Sequence, residues 1–205
     1  MKDIAIINYG MGNLRSVENA LLKLGAAPRI VTDPDSVGQA AGLLLPGVGA
    51  LQDCVDGLKS AGFDDFIRGW LGEKRPFMGV CLGLQALFER SEERDVKGLG
   101  IFPGQVKRFV SRPGLKIPHM GWNLATLLQT GSTFWKDLSP ADDRFYFVHS
   151  FYAQPEDPAL ILTSTDYDIT FTSAIATDNV LACQFHPEKS QSRGLQLYSN
   201  FLDIC

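Results

Sequence analysis

The chain of 205 residues has only three histidines and four cysteines, no long apolar run and no basic block. Each shortage removes a class of function. The longest apolar run, Ala40 to Leu45, is broken by Gly42 and falls far short of the roughly 20 residues that cross a bilayer. Met1-Lys2-Asp3 leads straight into Ile4-Ala5-Ile6-Ile7, too short a segment for a secretory leader and without a small-residue cleavage site. A cytoplasmic protein is expected. Lys and Arg number 19 against 23 Asp and Glu, a net charge of −4, with nothing to neutralise a phosphate backbone. Neither nucleic acid nor a membrane is an expected partner. Cys54, Cys81, Cys183 and Cys205 include no C-x-x-C pair, so neither a zinc site nor a disulfide framework is indicated, and no metal or cofactor is expected.

What is present is a globular composition, 45% hydrophobic and 20% charged, at a length that one core can serve. One domain over residues 1–205 is expected. Apolar runs at Asp3–Asn8, Pro28–Val31, Gly42–Leu45 and Pro76–Val80 read as buried strands. Between them Leu14, Val17, Leu21 and Leu24 fall at helical spacing, with Asn13 as N-cap and Gly25 as stop, and Phe63–Leu71 reads as an amphipathic helix. Strands alternating with helices predict a doubly wound α/β fold, a mostly parallel sheet with helices on both faces. The second half predicts further strands at Val106–Phe109, Phe145–Phe151, Ala159–Thr163, Thr170–Ala176 and Leu181–Phe185, added antiparallel, and a closing helix over Gly194–Leu202.

In Gly79-Val80-Cys81-Leu82-Gly83 a cysteine sits between two glycines, after a strand and before a helical pattern. Small residues two before and two after permit the sharp strand-to-helix turn of a nucleophile elbow. Cys81 is expected to stand exposed at a helix N-terminus, where free backbone N–H groups favour a thiolate. Taken alone, the same pattern also suits a small buried packing residue. Cys54, Cys183 and Cys205 have no such setting. Among the histidines, His186 lies in Gln184-Phe185-His186-Pro187-Glu188 at a strand end. Glu188 is placed to fix the imidazole tautomer, so Cys81, His186 and Glu188 form the expected catalytic group. His149 reads as a strand residue and His119 as positional. An oxyanion is expected to be held by the N–H of Leu82 and by Gly47-Val48 at the neighbouring strand end, where glycine permits peptide orientations that other residues resist.

Pro46-Gly47-Val48-Gly49, Gly79-Val80-Cys81-Leu82-Gly83 and His186-Pro187-Glu188 resemble, in that order, the class I (triad-type) glutamine amidotransferases. More narrowly, Asn8-Tyr9-Gly10-Met11-Gly12-Asn13-Leu14, Pro118-His119-Met120-Gly121-Trp122-Asn123 and Tyr146-Phe147-Val148-His149-Ser150 are similar to the glutaminase subunits of imidazole glycerol phosphate synthases. The resemblance implies a flavodoxin-like amidotransferase core and hydrolysis of glutamine through a glutamyl thioester. It also implies substrate contacts at Gln85, Glu93, Tyr146 and Ser150. It further implies a heterodimer with a (β/α)8-barrel cyclase subunit that consumes the ammonia in histidine biosynthesis. Asn13, Met120, Trp122 and Lys189 are the expected interface residues. Two other readings of the same residues are an amidotransferase subunit for another acceptor and a non-catalytic thiol sensor or binding subunit.

Overall fold

The computed structural model describes residues 1–205. Four strands of its first half, β1 (Asp3–Ile7), β2 (Ala27–Val31), β3 (Gly42–Gly47) and β4 (Phe77–Cys81), run parallel in the order β2-β1-β3-β4. Every position of β3 and β4 is buried, which is why they read as unbroken apolar runs: a parallel strand covered on both faces has no solvent side to leave polar. The crossovers are α1 (Leu14–Lys23), α2 (Leu51–Ser60) and α3 (Phe63–Gly72).

Alternation along β1 divides the core. Ile4 and Ile6 join Leu44, Met78 and Val80 under Val17 and Leu21 of α1, whereas Ala5 and Ile7 join Leu43, Leu45 and Phe77 under Val55 and Leu58 of α2 and Phe63 and Ile67 of α3. Each of these Val, Leu, Ile, Phe and Met side chains contributes about 1.5–3 kcal/mol of burial, and the two helical layers are held by the same strands. One local expectation is corrected and one further helix is added. Asn13 occupies the N-cap position of α1 but its side chain makes no capping hydrogen bond. Helix α2 carries an apolar stripe of only Leu51, Cys54, Val55 and Leu58, and its Gly57 is required by packing, since a Cβ there would lie 2.6 Å from the Tyr9 carbonyl oxygen.

After β4 come α4 (Leu82–Gln85), β5 (Phe88–Ser91), β6 (Val96–Lys97), β7 (Phe102–Arg108), β8 (His119–Leu124), β9 (Thr126–Leu127), β10 (Arg144–His149), β11 (Phe151–Pro155), β12 (Ile161–Tyr167), β13 (Ile169–Ala176), β14 (Val180–Cys183) and α5 (Gln191–Ile204). β14 pairs parallel with β4, and antiparallel β13, β11 and β7 extend the same 12-stranded sheet. Helix α5 packs with α1, its Leu197 and Phe201 in the layer of Val17 and Leu21. Helices therefore cover both faces. The segment Phe145–Phe151 is two strands rather than one: β10 pairs with β8 in a separate ribbon, and β11 leaves at Ser150 to join β7. Apolar patterning continues across Ser150 because both strands bury one side, so the change of sheet leaves no compositional mark. No helix is long and apolar enough to cross a membrane.

Candidate active site

β3 and β4 end together, with Gly47 opposite Cys81 in the ladder, at the carboxyl edge where open α/β sheets bind ligands. The turn there is sterically forced. Cys81 takes φ 56° and ψ −102°, a conformation costly for any residue with a Cβ and characteristic of functional turns. Gly79 and Gly83 make the turn possible: a Cβ on Gly79 would lie 2.6 Å from the Gly83 oxygen, and one on Gly83 would lie 2.0 Å from the Leu45 oxygen. The elbow reading holds, with one correction. Cys81 is 5% exposed, because the sulfur opens onto a cavity and not onto the surface. Helix α4 is a single turn, so what it offers the sulfur is its free first-turn N–H groups, not a long dipole.

The cavity, of about 250 Å³, is lined by Cys81 and His186 together with Val48, Gly49, Leu82, Gln85, Glu93, Pro118, Val148, His149, Ser150 and Phe151. His186 lies after β14, immediately before the turn Pro187–Lys189, and is fixed from three sides. Its backbone N–H donates to the Tyr146 oxygen, its carbonyl accepts from Ser190 Oγ at 2.6 Å, and its Nδ1 lies 2.8 Å from Glu188 Oε1. Both side chains of this pair are buried, at 1% and 2% exposure, so the contact is unscreened. The other ring nitrogen, Nε2, has no partner within the chain. Burial by itself disfavours the imidazolium, but the neighbouring Cys81 sulfur and the Glu188 carboxylate outweigh it and push the His186 pKa up to about 10. The remaining cysteines are held as thiols by burial, which raises Cys54 and Cys205 to about 12 and Cys183 well above its ordinary value.

The other expected residues divide. Val48 and Leu82 line the cavity, while Gly47 does not. Gly47 is glycine for space: a Cβ there would meet Leu82 Cβ at 2.6 Å and the Tyr9 hydroxyl at 2.7 Å, and its φ is not positive. The conformational freedom lies at Gly49, with φ 100°. Gln85, Glu93 and Ser150 face the cavity, and Glu93 Oε2 also accepts the Leu51 N–H at 2.8 Å, tying the mouth to the start of α2. Tyr146 stands apart from these three. It is not in the cavity lining; its ring meets Trp122 edge-on, with centroids 6.2 Å apart, and lies beneath Lys189 Nζ at 5.7 Å. The β8–β10 ribbon produces this grouping by placing Trp122 opposite Tyr146. Asn13, Met120, Trp122 and Lys189 are all exposed, and Trp122 at 45% exposure is not a core residue.

His149 and His119 form a buried pair. His149 Nδ1 donates to the Phe151 oxygen at 2.8 Å and its Nε2 lies 3.0 Å from His119 Nδ1. Burial holds both neutral, lowering His149 to about 3 and His119 to about 4. One residue close to the sulfur was not singled out from the sequence: Gln184, fully buried, whose Nε2 lies 3.6 Å from Cys81 Sγ. Its signal was present, a lone amide in the apolar run Leu181–Phe185.

A forced elbow bearing a cysteine, a buried His–Glu pair and an amino-acid-sized cavity between them are the parts that thiol-dependent amide cleavage requires, and the sequence matches the family described as glutamine amidotransferase class-I over residues 5–205. The chain belongs to that family. Within it, the chain is similar to imidazole glycerol phosphate synthase subunit HisH of Thermosynechococcus vestitus, at 50% identity over 98% of this chain and 96% of that protein. It is also similar to the subunit of that name from Acinetobacter baylyi, at 45% identity over 99% and 98%. The fold matches PurLQS from Thermotoga maritima, with a TM-score of 0.78 at 18% identity over 98% of each chain.

Proposed function

We propose that the chain is the glutaminase subunit of an imidazole glycerol phosphate synthase, with Cys81, His186 and Glu188 as its catalytic residues. The observation that carries this reading is the single cavity onto which both Cys81 and His186 open, with Glu188 buried behind the imidazole. Glutamine enters with its carboxamide at the sulfur. Cys81 Sγ attacks the carboxamide carbon, and the developing oxyanion accepts from the Leu82 N–H and from the Val48–Gly49 segment across the elbow. His186 Nε2 gives its proton to the nitrogen as the C–N bond breaks, releasing ammonia and leaving a γ-glutamyl thioester. Water, deprotonated by the now neutral imidazole, attacks the thioester carbon; the C–S bond breaks, glutamate leaves and the sulfur is restored. Glu188 keeps Nδ1 protonated throughout, so that Nε2 is always the exchanging nitrogen. Gln85, Glu93 and Ser150 hold the amino-acid end.

Ammonia released to bulk water is protonated and ceases to be a nucleophile, so the product passes directly to a cyclase subunit, a (β/α)8 barrel, docked on the face that carries Met120, Trp122, Lys189 and Asn13. Trp122 is the expected anchor, an exposed aromatic propped by Tyr146. Glutamine hydrolysis is measured with and without the co-purified cyclase and its acceptor ligand. Turnover dependent on Cys81 and stimulated in the complex supports the reading. Equal turnover in both states rejects partner control, and no turnover in either rejects the reading.

A further inference from the structure

Two buried amides and a backbone carbonyl link the nucleophile to the strand that forms the far wall of the cavity, and their polarity is fixed without reference to any hydrogen position. The Phe151 carbonyl oxygen, at the start of β11, can only accept. The Gln85 atom 3.0 Å from it is therefore the amide nitrogen, Nε2. The same nitrogen lies 3.0 Å from Gln184, so the Gln184 atom it meets is the acceptor Oε1. That leaves Gln184 Nε2 as the atom facing Cys81 Sγ at 3.6 Å, a hydrogen bond of the length sulfur makes. Gln85, Gln184 and Cys81 are 3%, 0% and 5% exposed, so water does not compete. The Gln184 side chain is held in register by its own backbone, since its N–H donates to the Ser173 oxygen at 2.8 Å. Both Gln85 N–H groups are used inside the protein, so Gln85 offers the cavity only its oxygen.

We infer that Gln184 is a positioning residue for the nucleophile, aiming an N–H at the Cys81 sulfur under the control of Gln85 and the Phe151 carbonyl. This rests on the glutaminase reading above and adds a member to its machinery. The bond is strongest when the sulfur is anionic, before attack and again as the thioester breaks, and weakens when the sulfur is acylated. Gln184 therefore favours the thiolate over the thiol, and eases departure of sulfur in the second step.

The test is the pH profile of Cys81 alkylation by iodoacetamide, read by peptide mass in the assembled complex, for wild type, Gln184→Met and Gln184→Glu. Other groups act on the same sulfur: His186 after β14 with Glu188 behind it, Cys183 on β14, Cys54 on α2 and Tyr9 after β1, with Glu93 and His149 in the cavity wall. They are common to all three proteins, so the difference between profiles isolates Gln184. The expected result is alkylation at neutral pH slowed about tenfold in Gln184→Met, the low end for a hydrogen bond to a charged group. The profile moves to higher pH, and moves further in Gln184→Glu, which turns a carboxylate toward the sulfur. A folded variant of either kind with the wild-type profile overturns the inference, and loss of fold in both overturns it in favour of a packing role. If wild-type complex alkylates as described but hydrolyses no glutamine, the glutaminase reading fails while the bond to sulfur stands.

Discussion

Gly194→Ala is the substitution on which the geometry speaks most sharply, although Gly194 lies in α5 and touches no part of the cavity lining. A Cβ at this position would sit 1.8 Å from the Pro187 carbonyl oxygen and 2.6 Å from its carbonyl carbon. Both are backbone atoms, so no rotamer relieves the clash, and α5 and the Pro187–Lys189 turn must part by more than about 1 Å to restore a normal contact. That turn carries Glu188 and directly follows His186. Overpacking of this kind costs about 1–3 kcal/mol of stability. A 1 Å displacement of a catalytic group costs on the order of 10²-fold in rate. The assay is paired: urea unfolding of the isolated chain, and steady-state glutamine hydrolysis by the complex. Gly69→Ala is the control, since Gly69 is exposed in α3 with nothing within 4 Å of its added Cβ; there the change should stabilise by about 0.5–1 kcal/mol and leave the rate alone. Wild-type stability and rate in Gly194→Ala would refute the reasoning that α5 sets the position of the His-Pro-Glu turn.

Glu188→Gln removes the charge 2.8 Å from His186 Nδ1 without changing volume; the His186 pKa should fall, and kcat of the complex should drop on the order of 10²–10⁴-fold. Loss of less than about twofold would show that the carboxylate is not orienting the ring. Acid stability follows from the His119–His149 pair. Because burial lowers His149 to about 3 and His119 to about 4, the unfolded chain binds protons that the folded chain refuses, so their stabilisation is full above pH 6.5 and is lost as pH falls toward 3. His149 alone should cost about 1.5 kcal/mol between pH 6.5 and pH 5. The opposite contribution, from His186 with its raised pKa, is complete below pH 6.5 and is lost only as pH rises toward 10, outside this window. Urea midpoints that coincide at pH 6.5 and pH 5 would contradict the assignment.

The middle of the parallel half of the sheet was legible because β3 and β4 bury every residue, and an apolar run closed by Gly or Cys says so in composition alone. The elbow was legible because the Gly79 contact with the Gly83 carbonyl is local in sequence, whereas the need for Gly83 itself comes from Leu45 on the neighbouring strand and shows only in the fold. Helix α2 was hidden by Gly57 and Cys54, whose fitness depends on Tyr9 and on packing that no local pattern records. The break at Ser150 was hidden because a change of partner strand leaves the alternation intact. In the site, His186 and Glu188 were readable from their spacing, while Gln184 declares its role only when β14 is laid beside β4 and its amide reaches Cys81. Tyr146 shows the converse: resemblance carries residue identity, while its contact with Trp122 is set by the β8–β10 register, which no local pattern records.

The central claim is that one sulfur, Cys81, is activated against a glutamine carboxamide by His186. Its most direct test is incubation of the cyclase complex with a diazoketone analogue of glutamine, followed by peptide mass analysis. The account predicts a single adduct on Cys81, formed more slowly in His186→Ala and suppressed by excess glutamine. Equal modification of Cys54, Cys81, Cys183 and Cys205, or an adduct that glutamine does not compete away, would contradict it.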